Sequence, residues 1–377
     1  MSRSLLLIAV FGLLAFTRLT AADHPTLALG SPLPDFKLKG VDDRTYTPAD
    51  FDKAEILVVV FTSNHCPTAQ LYEERLKRLV TDFEPRNVAF VAINPNHPAA
   101  VRLDEMAWTD LDDTFESMKV RAKHHIFNYP YLDDGEKQET AQKFGAIATP
   151  HVFVFDRSRH LRFEGRIDDS ERPSLVKEQT TRDAIEALLA GKGPRVTKTK
   201  VFGCSIKWRE KADENHRWLA KVAKEPVALS PVDEAALKDL RTNQGSGKVR
   251  LIALWSPANQ PSVAQFDQLV EHNLRFRNRE FEVITVAAEK SAEQDNVRAF
   301  LQRHHASMKN LIASFADARE VARTFNPASN GTLPQVLVVN PEGKVLYEQV
   351  GPTDFLALRR ALLPALDATA PWPANGK

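Results

Sequence analysis

The sequence predicts an α/β protein built twice over: two tandem domains, each alternating buried strands with amphipathic helices. Three observations predict it. The chain has 377 residues, which suits two domains of ordinary size. The runs Glu55–Phe61 and Val249–Trp255 are predominantly apolar with no strict alternation, the pattern of central strands covered on both faces. The order of elements that follows the first run returns after the second, a duplication at domain scale.

Composition narrows the function. Lys and Arg number 50 against 49 Asp and Glu, a balance that argues against a nucleic-acid partner held by a basic surface. The two cysteines, Cys66 and Cys204, are too few for a disulfide scaffold or a four-thiolate zinc site. Redox chemistry needs no more than two. The adjacent pairs His124-His125 and His304-His305 do not face one site on a helix, and no metal-ligand spacing or phosphate loop is present. No metal and no cofactor are expected.

Residues 1–22 read as a secretory signal: Arg3, an apolar run from Leu5 to Phe16, then the small residues of Thr20-Ala21-Ala22. An uncleaved N-terminal anchor is the competing reading. No later segment is apolar enough to span a bilayer, so no transmembrane segment is expected after cleavage. The mature protein is expected in an exported, oxidising compartment, the periplasm or the cell exterior.

The first domain is read as residues 23–207. Prolines mark its opening, Leu29-Gly-Ser-Pro-Leu-Pro-Asp-Phe-Lys-Leu38. The strand at 55–61 leads into Thr62-Ser63-Asn64-His65-Cys66-Pro67, after which Leu71, Leu76, Leu79, Val80 and Phe83 recur at helical spacing. Pro67 suits a first helical turn. Cys66 therefore stands at a helix N-terminus, where free N–H groups and the dipole favour a thiolate, and protonated His65 adds positive charge. A buried, inert cysteine is the bland alternative. A strand at 88–94 follows, then a charged stretch with helical segments from about 95 to 125, and a helix over about 136–144. Thr149-Pro150 leads directly into an apolar strand, which makes Pro150 a candidate cis residue beside another site. A strand at 161–166 and a helix over about 182–189 complete this domain.

A helical linker is expected over 208–247, a second domain over 248–370 and a tail over 371–377. The second domain repeats the strand at 249–255, a helix bearing Phe266, Leu269 and Val270, a strand at 281–287 and a Pro-led strand after Leu333-Pro334.

Together Gly30-x-Pro-x-Pro-x-Phe-x-Leu38, Ser63-x-x-Cys66-Pro67-Thr68 and Thr149-Pro150 resemble the thioredoxin-like superfamily, and within it the redoxins of the alkyl-hydroperoxide-reductase and thiol-specific-antioxidant (peroxiredoxin-like) family. Phe202-Gly-Cys-Ser-Ile-Lys-Trp208 is similar to a tail of exported members. The resemblance covers roughly 27–208 and implies a central mixed sheet flanked by helices. It implies that Cys66 attacks a peroxide or disulfide substrate, that Ser63 orients the sulfur or an incoming oxygen, that His65, Thr149 and Pro150 line the site, and that an external thiol reductant restores it. Three departures stand out. A thioredoxin has cysteine where Ser63 stands, so dithiol chemistry through this motif is excluded. Val59 stands where peroxiredoxins carry a proline, and Thr149-Pro150 where they carry an arginine.

The second copy also resembles thioredoxin, with Trp255-Ser-Pro-Ala-Asn259-Gln-Pro-Ser262 holding Asn259 and Ser262 at both cysteine positions and Pro334 at the proline position. It is expected to be a degenerate, non-redox module for binding, docking or structure. Cys204 has four open roles: resolving an oxidised Cys66, a stable disulfide with it, an apolar filler, or pairing with another protein. Two functions remain: an exported thiol oxidoreductase, reducing peroxide or exchanging disulfides through Cys66, and a non-catalytic binding or scaffold protein with an envelope partner.

Overall fold

The computed structural model describes residues 24–243 and 245–372; the expected signal segment at 1–22 and the end of the expected tail, 373–377, lie outside the described residues. The first sheet has seven strands: β1 (Leu38–Gly40), β2 (Thr45–Tyr46), β3 (Ile56–Phe61), β4 (Val88–Asn94), β5 (Tyr131–Asp133), β7 (His151–Phe155) and β8 (Leu161–Gly165). Their order is β2-β1-β5-β4-β3-β7-β8. β3 runs parallel to β4 and antiparallel to β7, which makes the sheet mixed. β6 (Ala148–Thr149) stands apart and pairs only with β9 (Cys204–Ser205).

All six residues of β3 are buried, because alternate side chains point to opposite faces and both are covered. Val58 and Val60 pack with Tyr72, Leu76 and Val80 of α1 (Pro67–Phe83). Leu57, Val59 and Phe61 pack on the other face with Phe144, at the end of α3 (Glu139–Phe144), and with Phe153 and Phe155. α2 (Phe115–His124) and α4 (Thr180–Leu189) add Met118, Ala184 and Ile185 to the α1 side.

The second sheet holds six strands: β10 (Ser230–Pro231), β11 (Val249–Trp255), β12 (Phe281–Ala287), β13 (Lys309–Ile312), β14 (Gln335–Val339) and β15 (Val345–Val350), in the order β10-β13-β12-β11-β14-β15. Leu251, Ala253 and Trp255 face α7 (Gln260–Phe276), α8 (Gln294–Arg303) and α10 (Phe355–Thr369). Ile252 and Leu254 face α6 (Glu234–Thr242) and α9 (Ala318–Phe325). α5 (Ala212–Val222) lies between the two sheets in sequence. β10 and the buried Leu237 and Leu240 of α6 pack with the second sheet, so this part of the connecting segment is structured as part of it. Among the described residues no helix is long and apolar enough to cross a membrane.

The expected helices of the charged stretch are largely absent. Only α2 is an α-helix there; residues 95–113 form a loop with short 3-10 turns at Pro98–Ala100 and Leu103–Met106. The reason is tertiary. Ala107 is fully buried in the core of the second domain and Trp108 packs on that core, so the loop is a seam between the sheets rather than a solvated helix.

Candidate functional site: a buried thiol under a strap

β3 ends at Phe61, and the chain leaves the C-terminal end of this central strand through Thr62–His65 before α1 begins. Cys66 is the N-cap of α1, and its Sγ accepts the Ala69 N–H at 3.4 Å. Pro67 follows in the first turn, where a missing N–H leaves no helical bond unmade. Cys66 is fully buried and a free thiol.

The burial comes from the last residues of the first domain, which fold back over the helix end. In β9, Cys204 lies directly opposite Thr149 of β6. Gly203 makes this approach possible: its φ is +144°, and a Cβ there would lie 2.2 Å from the Thr149 carbonyl oxygen. Farther along, Ile206 is buried in the first domain's core. The Lys207 N–H donates to Asn96 Oδ1 at 2.8 Å, and the Lys207 carbonyl accepts from His97 N and Gln138 Nε2 at 2.9 and 3.0 Å. This pairing brings Cys204 to the same residue whose carbonyl the Cys66 thiol meets.

Thr149 lies between them. The protonated Cys66 thiol donates to its carbonyl at 3.1 Å. Ser63 shares a 3.0 Å hydrogen bond with Thr149 Oγ1, so its hydroxyl meets the sulfur through Thr149 rather than directly. The Thr149-Pro150 peptide bond is cis, as is Leu333-Pro334 in the second domain.

His65 is held by residues that sequence reading did not single out. Its Nδ1 pairs with Asp113 Oδ2, and both side chains are buried. Asp113 also accepts from Asn64 N at 2.7 Å, His65 N at 3.2 Å and Asn96 Nδ2 at 2.9 Å. The Nε2 of His65 is buried without a partner. Asp113 had only a weak sequence signal, an acidic pair just ahead of the α2 cap Thr114, and such pairs usually mean solvated loop.

The charges follow from this packing. For Asp113, burial pushes the carboxyl up, but His65 and the three N–H donors outweigh it and hold it below its usual range. For His65, burial opposes the imidazolium, yet Asp113 and the nearby sulfur raise it above its ordinary value. For Cys66, burial opposes the thiolate; the hydrogen bond from Cys204, the His65 charge, the Ala69 N–H and the Thr149 side chain overcome it and pull the thiol down to about 6. The Cys204 thiol is pushed up, first by donating its proton to Cys66, then by burial and the neighbouring negative charge.

Arg121 and Arg166, the arginines that could stand in for one at the Thr149-Pro150 position, are both paired with carboxylates. Arg121 pairs with Glu73 at 2.6 Å, and Arg166 lies 3.5 Å from Glu178. In the second domain Asn259 is the N-cap of α7, its Oδ1 accepting from Ser262 N and Oγ at 2.9 and 2.8 Å. Asn259 and Ser262 together form a polar helix cap.

The AhpC/TSA family model matches residues 29–164, the stretch that runs from the proline-rich opening to β8. This region carries the AhpC/TSA family signature. No curated protein matches the chain. A hypothetical protein from Sinorhizobium meliloti 1021 is 34% identical over 49% of this chain and 96% of its own, with a TM-score of 0.43. The peroxidoxin BcpB from Mycobacterium tuberculosis is 18% identical over 36% of this chain and 83% of its own (TM-score 0.29). The thioredoxin domain of a thiol-disulfide oxidoreductase from Bacteroides vulgatus is 14% identical over 36% and 86% (TM-score 0.29). The region that matches the AhpC/TSA model and the region C-terminal to it each contain a mixed sheet flanked by helices.

Proposed function

We propose that this protein is an exported thiol oxidoreductase that works by thiol–disulfide exchange, with Cys66 as nucleophile and Cys204 as resolving thiol. The Cys66 thiolate attacks a substrate disulfide, forming a mixed disulfide and releasing one substrate thiolate. Cys204 then loses its proton and attacks Cys66 Sγ, releasing the second substrate thiolate and closing a Cys66–Cys204 disulfide. An external dithiol reductant takes that disulfide back to two thiols. His65, held by Asp113, supplies the positive charge that favours the thiolate, and Ser63 orients Thr149. The observation that carries this reading is the pairing of Cys204 with Thr149, which brings a second thiol to the only cysteine at the helix end. The residues that supply positive charge fit exchange better than peroxide reduction, because Arg121 and Arg166 are committed to carboxylates away from the sulfur. Export rests on the signal pattern of residues 1–22. The division into a redox domain (23–207), a connecting segment (208–247) and a cysteine-free unit (248–370) is part of the same proposal.

Intact-mass analysis of the reduced, mature-length protein after glutathione disulfide or hydrogen peroxide tests it. Exchange predicts loss of one hydrogen pair with glutathione disulfide, and a persistent glutathione adduct on Cys66 in the Cys204→Ser variant. Oxidation by peroxide alone would replace exchange with peroxidase chemistry. No oxidation by either would leave the scaffold reading, with an envelope protein as partner.

A further inference from the structure

The second domain has no thiol, yet its most buried cations are spent on one short piece of the first domain. Arg275 of α7 donates from Nε to the Met106 carbonyl at 3.1 Å and from Nη2 to the Thr109 carbonyl at 2.8 Å. Arg279, just after α7, donates from Nη1 to the Ala107 carbonyl at 2.9 Å and from Nη2 to Asp367 at 2.9 Å. Arg359 of α10 donates from Nε to the Asp110 carbonyl at 2.6 Å, and Arg360 donates to the Asp110 carboxylate at 2.8 Å. Arg275 and Arg279 are only 2% and 6% exposed. Bringing guanidinium groups into such a site is costly unless their N–H donors are matched. The matching acceptors here are mostly main-chain carbonyls, which fixes the path of the loop and not merely the distance between two surfaces.

That loop leads straight to the thiol. Thr109 donates from Oγ1 to the Asn64 carbonyl at 3.2 Å, and the Asp112 carbonyl accepts from Asn64 Nδ2 at 2.6 Å. One residue later, Asp113 holds the backbone N–H groups of Asn64 and His65 and the His65 ring. A second route runs through Asp110: its carboxylate bridges Arg360 and, at 3.5 Å, Arg121, which is bonded to Glu73 of α1. Trp108 anchors the loop from the other side, under the Arg279 guanidinium at 4.8 Å and against Trp372 at 5.0 Å.

We propose that the second domain is a positioning clamp for the thiol site: Arg275, Arg279 and Arg359 hold residues 106–110 so that Asp113 stands where it can fix His65 beside Cys66. This assigns the cysteine-free unit a part in the chemistry without contact with the reacting atoms, and it rests on the reading of Cys66 as a reactive thiolate. The charged and titratable groups around the pair are Asp113 from the clamped loop, Cys204 and Lys207 from the strap, and Glu105, which binds Lys207 Nζ at 2.5 Å. Of these, Asp113 is the one the arginines place.

The experiment is a thiolate titration of the full chain by ultraviolet absorbance, with Cys66→Ser as the baseline, alongside thermal unfolding. In the parent, the midpoint is expected near 6. Arg275→Ala and Arg279→Ala are expected to raise it by about one unit, a roughly tenfold loss of thiolate below the midpoint, with Arg275→Lys recovering part of the shift. Arg241→Ala, which removes a pair with Glu348 inside the second domain, is the stability control and is expected to leave the midpoint alone. Should Arg275→Ala fail to fold, Arg359→Gln removes a single carbonyl donor and carries the same prediction. Folded clamp variants with reduced stability and an unmoved midpoint would overturn the clamp while leaving the thiolate reading intact. A parent midpoint near the ordinary cysteine value would sink both.

Discussion

At the end of β3 the chain turns into α1 through Cys66; at the end of β11 it turns into α7 through Asn259. Both junctions follow a buried strand, both have proline in the first helical turn, and both belong to a unit with a cis X-Pro bond ahead of a later strand. The capping atom does the same structural task in each, accepting an N–H three residues on: Sγ from Ala69 at 3.4 Å, Oδ1 from Ser262 at 2.9 Å. The difference lies in what surrounds the cap. Cys66 has His65 fixed by Asp113, a second thiol delivered by the strap, and Thr149. Asn259 has the hydroxyl of Ser262. A helix N-terminus alone therefore does not account for the site; the junction proposed as reactive is the one onto which distant residues converge.

The largest effect on this contrast is expected from Asp113→Asn. It leaves the shape nearly unchanged but removes the charge that holds His65 protonated, so the Cys66 midpoint is expected to rise by about one to two units. Stability falls as well, by about 3–5 kcal/mol where the buried pair is fully formed. The pH window follows from the signs. Asp113 is depressed, so its contribution is present above the unfolded carboxylate value and is lost as pH falls through the folded one. His65 is raised, so its contribution is present below the unfolded imidazole value and is lost as pH rises through the folded one. The stability gap between parent and variant should therefore be widest in the mildly acidic range and narrow on either side. Denaturant unfolding at several pH values checks this; a pH-independent gap would detach His65 from Asp113.

A smaller effect is expected from Gly203→Ala, which acts on the strap alone. The added methyl meets the Thr149 carbonyl and a left-handed backbone that alanine resists. Cys204 is then drawn away from Cys66. Alkylation of Cys66 by iodoacetamide is expected to speed up, because its cover is loosened, while closure of the Cys66–Cys204 disulfide slows by about tenfold. Both rates moving in the same direction would show that the strap neither shields the one thiol nor presents the other.

How much of this was legible depended on range along the chain. The strand, the cysteine, Pro67 and the helical spacing are neighbours in sequence, so the Cys66 junction could be read directly. Pro150 and Pro334 were legible for the same reason, each leading its own apolar strand. Cys204 was legible as a cysteine with no address, because nothing local to Gly203-Cys204 says which backbone it meets. Asp113 was not legible: it reaches His65 from 48 residues away, in a loop whose charges look solvated. The clamp lies farther off still, with Arg275 and Arg359 separated from their carbonyls by more than 160 residues. Arginines on amphipathic helices read as surface residues, and only the fold shows that these are covered. The composition of the charged stretch at 95–125 permits helix; the carbonyls that a helix would use internally at 106–110 are taken by those arginines.

The smallest effect on existing chemistry, and the sharpest test of the comparison, is expected from Asn259→Cys. It restores a thiol at the equivalent helix end, with the α7 N–H groups and dipole in place. If the helix terminus were the main cause of reactivity, this thiol would titrate near Cys66. The surroundings argue otherwise: Ser262 supplies one hydroxyl, Ser256 is tied to Glu289, and among the described residues Asn259 makes no side-chain hydrogen bond to a histidine or cysteine. Its pKa is expected to stay within about one unit of an ordinary cysteine, and the redox activity of Cys66 to be unchanged. Stability should fall by about 0.5–2 kcal/mol, since sulfur replaces a good capping oxygen. Site-resolved alkylation against pH reads both thiols in one sample. Two coincident profiles would assign the low Cys66 value to the helix end they share; profiles separated by two units or more would assign it to Asp113, His65 and Cys204.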